Sequence, residues 1–193
     1  MKADIFEKEL EFIKYEELRN IAKNLIEQLP DYFFEVPASS TGKYHPRYTQ
    51  GEGGLVRHTK AAVCIAQELL RLEMYEDLLP IHDHIIMALL LHDGWKHGPI
   101  TEDGSYNQWT TPDHARVCAN WIMSKNWDVF KSHMEYVASL ILTHMGQWNM
   151  NNQTGEIFAP KPEVAANKFV HLCDYLASRK FLEFDENEVN YHS

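Results

Sequence analysis

An unbroken apolar run, Ile85 to Leu91, closes on an adjacent ionisable pair, His92-Asp93. A lone histidine stands upstream at His58, two more follow at His114 and His144, and Asp174 sits inside another apolar run. A charged carboxylate in a greasy segment is costly unless a metal or a partner neutralises it. Imidazole and carboxylate are natural ligands for borderline to hard divalent metals. Each of these residues is embedded in helical pattern. The expectation is a helix bundle in whose core they converge.

Apolar spacing supports that fold class. Helical pattern covers about Phe6 to Leu29 and is stopped by Pro30. It resumes at about Leu55 to Met74, with Val63, Ala66, Leu69 and Leu70 on one face. Further helices are expected over about Ile81–Leu91, Pro112–Lys125, Phe130–Met145 and Pro162–Leu182. Strand signals are weak throughout, so the architecture reads as all-α, with five to seven helices. Residues Asp31 to Gly54 break the pattern, mixing Pro37, Gly42, Pro46, Gly51, Gly53 and Gly54 with Tyr44, His45, Arg47 and Tyr48. A long ordered loop inside a compact domain tends to be functional. A second such loop, Gly146 to Pro162, carries Trp148.

At 193 residues one domain is the natural expectation. The net charge of −10 disfavours an extended nucleic-acid footprint, which needs many phosphate-neutralising Lys and Arg. It leaves room for a small anionic substrate held by metals. The three cysteines, Cys64, Cys118 and Cys173, lie among apolar neighbours without a CxxC motif, and read as small core residues of a reducing compartment. The N-terminus lacks an apolar signal segment, and no run approaches the ~18 apolar residues of a membrane span. The chain therefore reads as cytoplasmic.

The ligand order, with "GGLVRHT" around His58, "LLLHDGWK" around His92-Asp93, "PDHA" around His114, "LTHMG" around His144 and "HLCDYLAS" around Asp174, resembles the HD superfamily of metal-dependent phosphohydrolases. The resemblance covers about Gly53 to Lys180. It implies a single HD domain with a core of about 53–182 and residues 1–52 packed on it. Within the superfamily, "GGLVRHT", "LTHMGQW" and "APKPEVAANKFVHLCDYLAS" are most similar to the HD domain of bacterial 3′→5′ exoribonucleases. Those carry an added OB domain, for which this chain has no room. The chain departs from the family at Trp95, where a small apolar residue often stands.

The resemblance implies one metal on His58, His92, Asp93 and Asp174, and a second on His114 and His144, bridged by Asp93. With the first four alone, a single-metal site would remain. Two metals about 3.5–4 Å apart can stabilise both the attacking and the leaving oxygen of a phosphoryl displacement. Mixed imidazole and carboxylate ligands suit Mn²⁺, Fe²⁺ or Ni²⁺ better than Mg²⁺ alone. Lys96, three residues past Asp93, would join Asp93 in catalysis by offsetting charge on the phosphate oxygens. Arg47 and Arg57 are candidates to bind phosphate. Tyr44, Tyr48, Trp109 and Trp148 sit in the loops expected to rim the site and could stack a base. His171, one helical turn before Asp174, is a candidate to support the ligands from behind.

His82 and His84 flank Asp83 and look like another metal cluster. They lie about 12 Å along the helix from His92, too far to share its site, and read as surface residues. His45, His97, His133 and His192 carry no signal that singles them out. The function implied is hydrolysis of a phosphoester in a nucleotide or a short or cyclic oligonucleotide by metal-activated water. The alternatives are a non-catalytic nucleotide-binding HD module and a di-iron HD-fold oxygenase.

Overall fold

A computed structural model of the chain describes residues 1–43, 45–151 and 153–182. Tyr44 and His192 lie outside the described residues. Among those described, the structure is all-helical. The eight α-helices are α1 (Glu7–Leu10), α2 (Glu16–Glu27), α3 (Tyr32–Glu35), α4 (Gly54–Leu69), α5 (His82–Leu91), α6 (His114–Met123), α7 (Lys131–Leu142) and α8 (Ala165–Ala177). Among the described residues, extended backbone pairs only at one isolated bridge, Met150 to Ile157. Two of the eight helices are single turns, so six longer helices carry the expected architecture.

Helix α5 is the axis of the molecule. Every residue from Ile85 to Leu91 is buried, as befits a helix that is apolar on all sides. It packs against α2, α4, α7 and α8. One cluster of buried side chains runs continuously from Ala3 to Ala177. Among the described residues, no helix is long and apolar enough to cross a membrane.

The helix boundaries move inward from the sequence expectation. The first expected helix is broken between α1 and α2, where the Asp83 carboxylate accepts the backbone N–H groups of Lys14 at 3.0 Å and Tyr15 at 2.7 Å. These bonds satisfy donors left open at the start of α2. Helix α4 ends at Leu69, and a 3₁₀ segment (Glu73–Ile81) containing Pro80 leads into α5. Cys118 and Cys173 are buried, as expected, but Cys64 is exposed. It follows Arg57 by two turns on the outward face of α4.

Two glycines fix how the loops meet the helices. A β-carbon on Gly54 would sit 2.1 Å from the Thr49 carbonyl oxygen, so only glycine lets the 45–53 loop close on the start of α4. Gly146 has φ +57°, and a β-carbon there would lie 2.1 Å from the His171 ring. That close approach lets the chain turn immediately after His144.

Candidate metal centre

Six side chains from five helices meet at one end of α5. His58 lies on α4, and His92 and Asp93 directly follow the end of α5. His114 opens α6, His144 lies two residues past α7, and Asp174 lies on α8. The side chains of His58, His92, Asp93, His114 and His144 are at most 6% exposed, and that of Asp174 is 21% exposed.

Three of the four imidazoles are aimed by hydrogen bonds on their outer edges, and buried His58 Nδ1 has no partner. The Nδ1–H of His92 donates to the Leu89 carbonyl at 2.7 Å, that of His114 to Thr111 at 2.8 Å, and that of His144 to Ile141 at 2.7 Å. In each case the acceptor stands three residues back along the chain. This fixes the tautomer, leaving the Nε2 lone pair facing inward. His171 adds an outer contact, donating from Nδ1 to the carbonyl oxygen of His144 at 2.7 Å.

The inward-facing atoms form two groups. In the first, His58 Nε2 lies 2.9 Å from Asp174 Oδ1 and 3.4 Å from His92 Nε2, and His92 Nε2 lies 3.5 Å from Asp174 Oδ1. Asp93 Oδ2 closes this group, 3.5 Å from His92 Nε2 and 3.8 Å from His58 Nε2. In the second, Asp93 Oδ1 lies 3.2 Å from His114 Nε2 and 3.6 Å from His144 Nε2, and the two nitrogens are 3.2 Å apart. Asp93 thus turns one oxygen to each group. Lys96 forms an ion pair with Asp93 Oδ2 from the adjacent turn.

This donor set fits divalent metal. Buried Asp93 Oδ1 has no hydrogen-bond donor. Its neighbours His114 and His144 have committed their ring N–H groups elsewhere, so three lone-pair-bearing atoms converge. Such an arrangement is repulsive without a cation. Ligands held at ~2.0–2.2 Å from one ion stand ~3.0–3.5 Å apart. Five of the observed spacings, 3.2–3.5 Å, fall in that range, and those of 2.9, 3.6 and 3.8 Å lie just outside it. His58, His92 and Asp174 could hold one ion, and Asp93, His144 and His92 are likewise close enough to hold another; His114 lies on the Asp93–His144 edge.

The electrostatics keep the carboxylates charged. Burial pushes the Asp93 carboxyl up, but Lys96 and His92 outweigh it and hold it well below the usual range. Burial likewise opposes ionisation of Asp174, and His58 and His92 pull it far down. Burial lowers His92, yet the Asp93 and Asp174 charges leave it raised overall. Burial lowers His144, favouring the neutral, ligating imidazole.

Around the centre, the structure distributes the remaining candidates unevenly. The Arg57 guanidinium donates to the carbonyls of Tyr48 and, at 2.8 Å, Gln50, so it pins the loop to α4. The Tyr48 hydroxyl reaches the Ala177 carbonyl on α8 at 3.4 Å. Arg47 lies in the 3₁₀ turn Arg47–Thr49 of the same loop. Trp109 is 63% exposed in the loop before α6. Trp148 stacks on Tyr175, with ring centroids 5.6 Å apart and planes at 14°. Trp95 packs against Trp121, with ring centroids 5.6 Å apart.

His45 was not distinguished by sequence, yet its ring centroid lies 5.8 Å from that of His58. Burial, with Lys96 and His58 nearby, pushes it down to about 4. The available signal was its place in a glycine- and proline-rich loop already read as functional. His82 and His84 are half-buried rather than surface residues. His82 bonds Asp83 at 2.9 Å, and His84 Nε2 meets His133 Nδ1 at 2.8 Å. His97 is buried and donates from Nδ1 to the Asn107 carbonyl.

No protein-family model matches this chain, no curated protein matches it, and no solved structure matches it.

Proposed function

We propose that this protein is a metal-dependent phosphohydrolase of the HD superfamily, cleaving a phosphoester of a nucleotide or of a short or cyclic oligonucleotide. The observation that carries the reading is Asp93. One carboxylate faces two sets of imidazoles whose Nε2 atoms point inward, with no protein donor on Oδ1. His58, His92, Asp174 and Asp93 Oδ2 would hold one ion, and Asp93 Oδ1, His114 and His144 a second. Bound divalent metals lower the pKa of water and polarise phosphoryl oxygens.

The protein's own groups have separable tasks. Asp93 fixes the spacing of the two ligand sets. The carbonyls of Leu89, Thr111 and Ile141 hold the rings in register, so little reorganisation accompanies binding. Lys96, 12% exposed, supplies a cation beside Asp93 where phosphate oxygens would gain charge.

The test is a substrate panel on Mn²⁺-loaded protein: cyclic nucleotides, oligonucleotides of two to four residues, nucleoside mono- and triphosphates. Hydrolysis of at least one class, abolished in Asp93→Ala, is expected. No turnover in any class with metal demonstrably bound would contradict the reading. Nucleotide recovered intact would then indicate a binding module, and oxygen uptake an oxygenase.

A further inference from the structure

Every other described histidine engages a ring nitrogen in a hydrogen bond. The His45 ring makes none to the described residues. Its close ring contact is with His58, at 5.8 Å between centroids and 57° between planes.

The backbone that carries this ring is nevertheless firmly held. The residues after it form a tight turn, in which fully buried Thr49 donates to the Pro46 carbonyl from its N–H at 3.1 Å and from its hydroxyl at 2.8 Å. The Thr49 carbonyl in turn accepts the Ala38 N–H at 3.1 Å. Arg57 of α4 bonds the Gln50 carbonyl, and the Tyr48 hydroxyl bonds the Ala177 carbonyl of α8, so the segment is tied to two ligand-bearing helices. A half-buried polar ring on an anchored segment, with both nitrogens uncommitted, is set to receive a ligand.

Its position narrows what that ligand is. Besides His58, the charges of Lys96, Asp174 and Asp93 act on the ring, Lys96 most strongly. These groups belong to α4, to the segment after α5 and to α8, so the ring stands beside the first ligand group. Asp174, 21% exposed, is the one ligand of the six that solvent reaches appreciably, which marks the same side as the open one. His45 is not among the ligand atoms that lie within 4.8 Å of one another. It stands one layer farther out, in reach of an oxygen carried by a bound substrate rather than of the ion.

We propose that His45 is a substrate-binding residue whose imidazole N–H donates to a non-bridging phosphoryl oxygen, on the open side of the centre and in concert with Lys96. Hydrogen bonds to a charged oxygen are among the stronger ones a side chain makes. The assignment rests on the phosphohydrolase reading for the presence of a phosphoryl group.

Calorimetric titration of Mn²⁺-loaded protein with inorganic phosphate, together with metal content by elemental mass spectrometry, tests it. His45→Phe keeps a ring against His58 and removes both nitrogens. It should weaken phosphate binding roughly 10- to 100-fold, the range for a hydrogen bond to a charged group, and leave the metal content unchanged. His45→Gln keeps a donor and should recover most of the loss, whereas a residue that only packed its loop would be better replaced by phenylalanine than by glutamine. Wild-type protein gives a readout independent of variant folding. Diethyl pyrocarbonate should modify His45, located by peptide mass spectrometry, and saturating phosphate should suppress that modification while chloride at equal ionic strength should not. Unchanged phosphate affinity in His45→Phe, loss of metal from that variant, or modification indifferent to phosphate would overturn the assignment while leaving the phosphohydrolase reading intact. Failure of metal-loaded wild-type protein to bind phosphate would overturn both.

Discussion

Two histidine clusters in this molecule differ in how far their polar atoms find partners within the protein. The peripheral cluster, His82, Asp83, His84 and His133, is dense in sequence around α5's first turn. There, donors meet acceptors. Asp83 takes two backbone N–H groups and one imidazole, and His84 and His133 share a nitrogen-to-nitrogen hydrogen bond with ring planes 2° apart. His84 Nδ1 is its one orphaned buried atom. At the central cluster, residues spread from position 58 to 174 converge, and Asp93 Oδ1 faces the Nε2 lone pairs of His114 and His144. Asp93 Oδ1 is left without a donor, and paired imidazole nitrogens stand 3.2 and 3.4 Å apart. Apart from His84 Nδ1, the first cluster is satisfied within the protein. The second is a donor set that a cation would complete.

That contrast can be broken most sharply by stability. Saturating Mn²⁺ at about 1,000 times its dissociation constant should stabilise the wild type by about 4 kcal/mol, read as a rise in Tm. The gain should vanish in Asp93→Ala and persist in His84→Ala. Equal loss in both would dissolve the distinction.

The turn behind His144 comes next. Gly146→Ala places a β-carbon against the His171 ring at positive φ and should cost about 1–3 kcal/mol in denaturant unfolding. A change within error would show that the segment adapts freely.

His171→Phe keeps much of the ring volume and removes the donor to His144. Metal affinity should fall ~10–100-fold, the usual cost of losing an outer partner of a ligand. Unchanged affinity would mean that His171 only fills space.

The smallest effect should fall on the peripheral cluster. Asp83→Asn should cost about 1 kcal/mol, because an amide accepts the Lys14 and Tyr15 N–H groups less strongly than a carboxylate. Burial pushes the Asp83 carboxyl up, but the His82 and backbone hydrogen bonds win and lower it below its usual 3.8. Its contribution is therefore full above the unfolded-state value and is lost as pH falls through the lower folded value. Unfolding midpoints of the two proteins should converge only in that acid window. A constant difference at all pH values would contradict the role given to the charge.

The helices were legible in the sequence because apolar spacing is local. Ile85–Leu91 is apolar on every side and so had to be buried, and its polar terminus had to find company inside. The helix ends were less legible. The break before α2 depends on Asp83, nearly 70 positions away, and no local pattern reports a cap supplied from another helix. The ligands were readable because histidine and aspartate stand out in apolar runs. His45 was not, since its nearness to His58 arises from a loop fold held by Arg57 and by the contact that only glycine at position 54 permits. Arg57 looked available for phosphate because a sequence shows charge but not the backbone carbonyls that consume it.

The central claim is that Asp93 joins two metal-binding groups, and metal stoichiometry by elemental mass spectrometry tests it most directly. Protein equilibrated with Mn²⁺ and desalted should carry two ions per chain as wild type, one as His144→Ala and none as Asp93→Ala. Retention of wild-type stoichiometry by Asp93→Ala, or loss of metal only on replacing His82, His84 and His133, would contradict it.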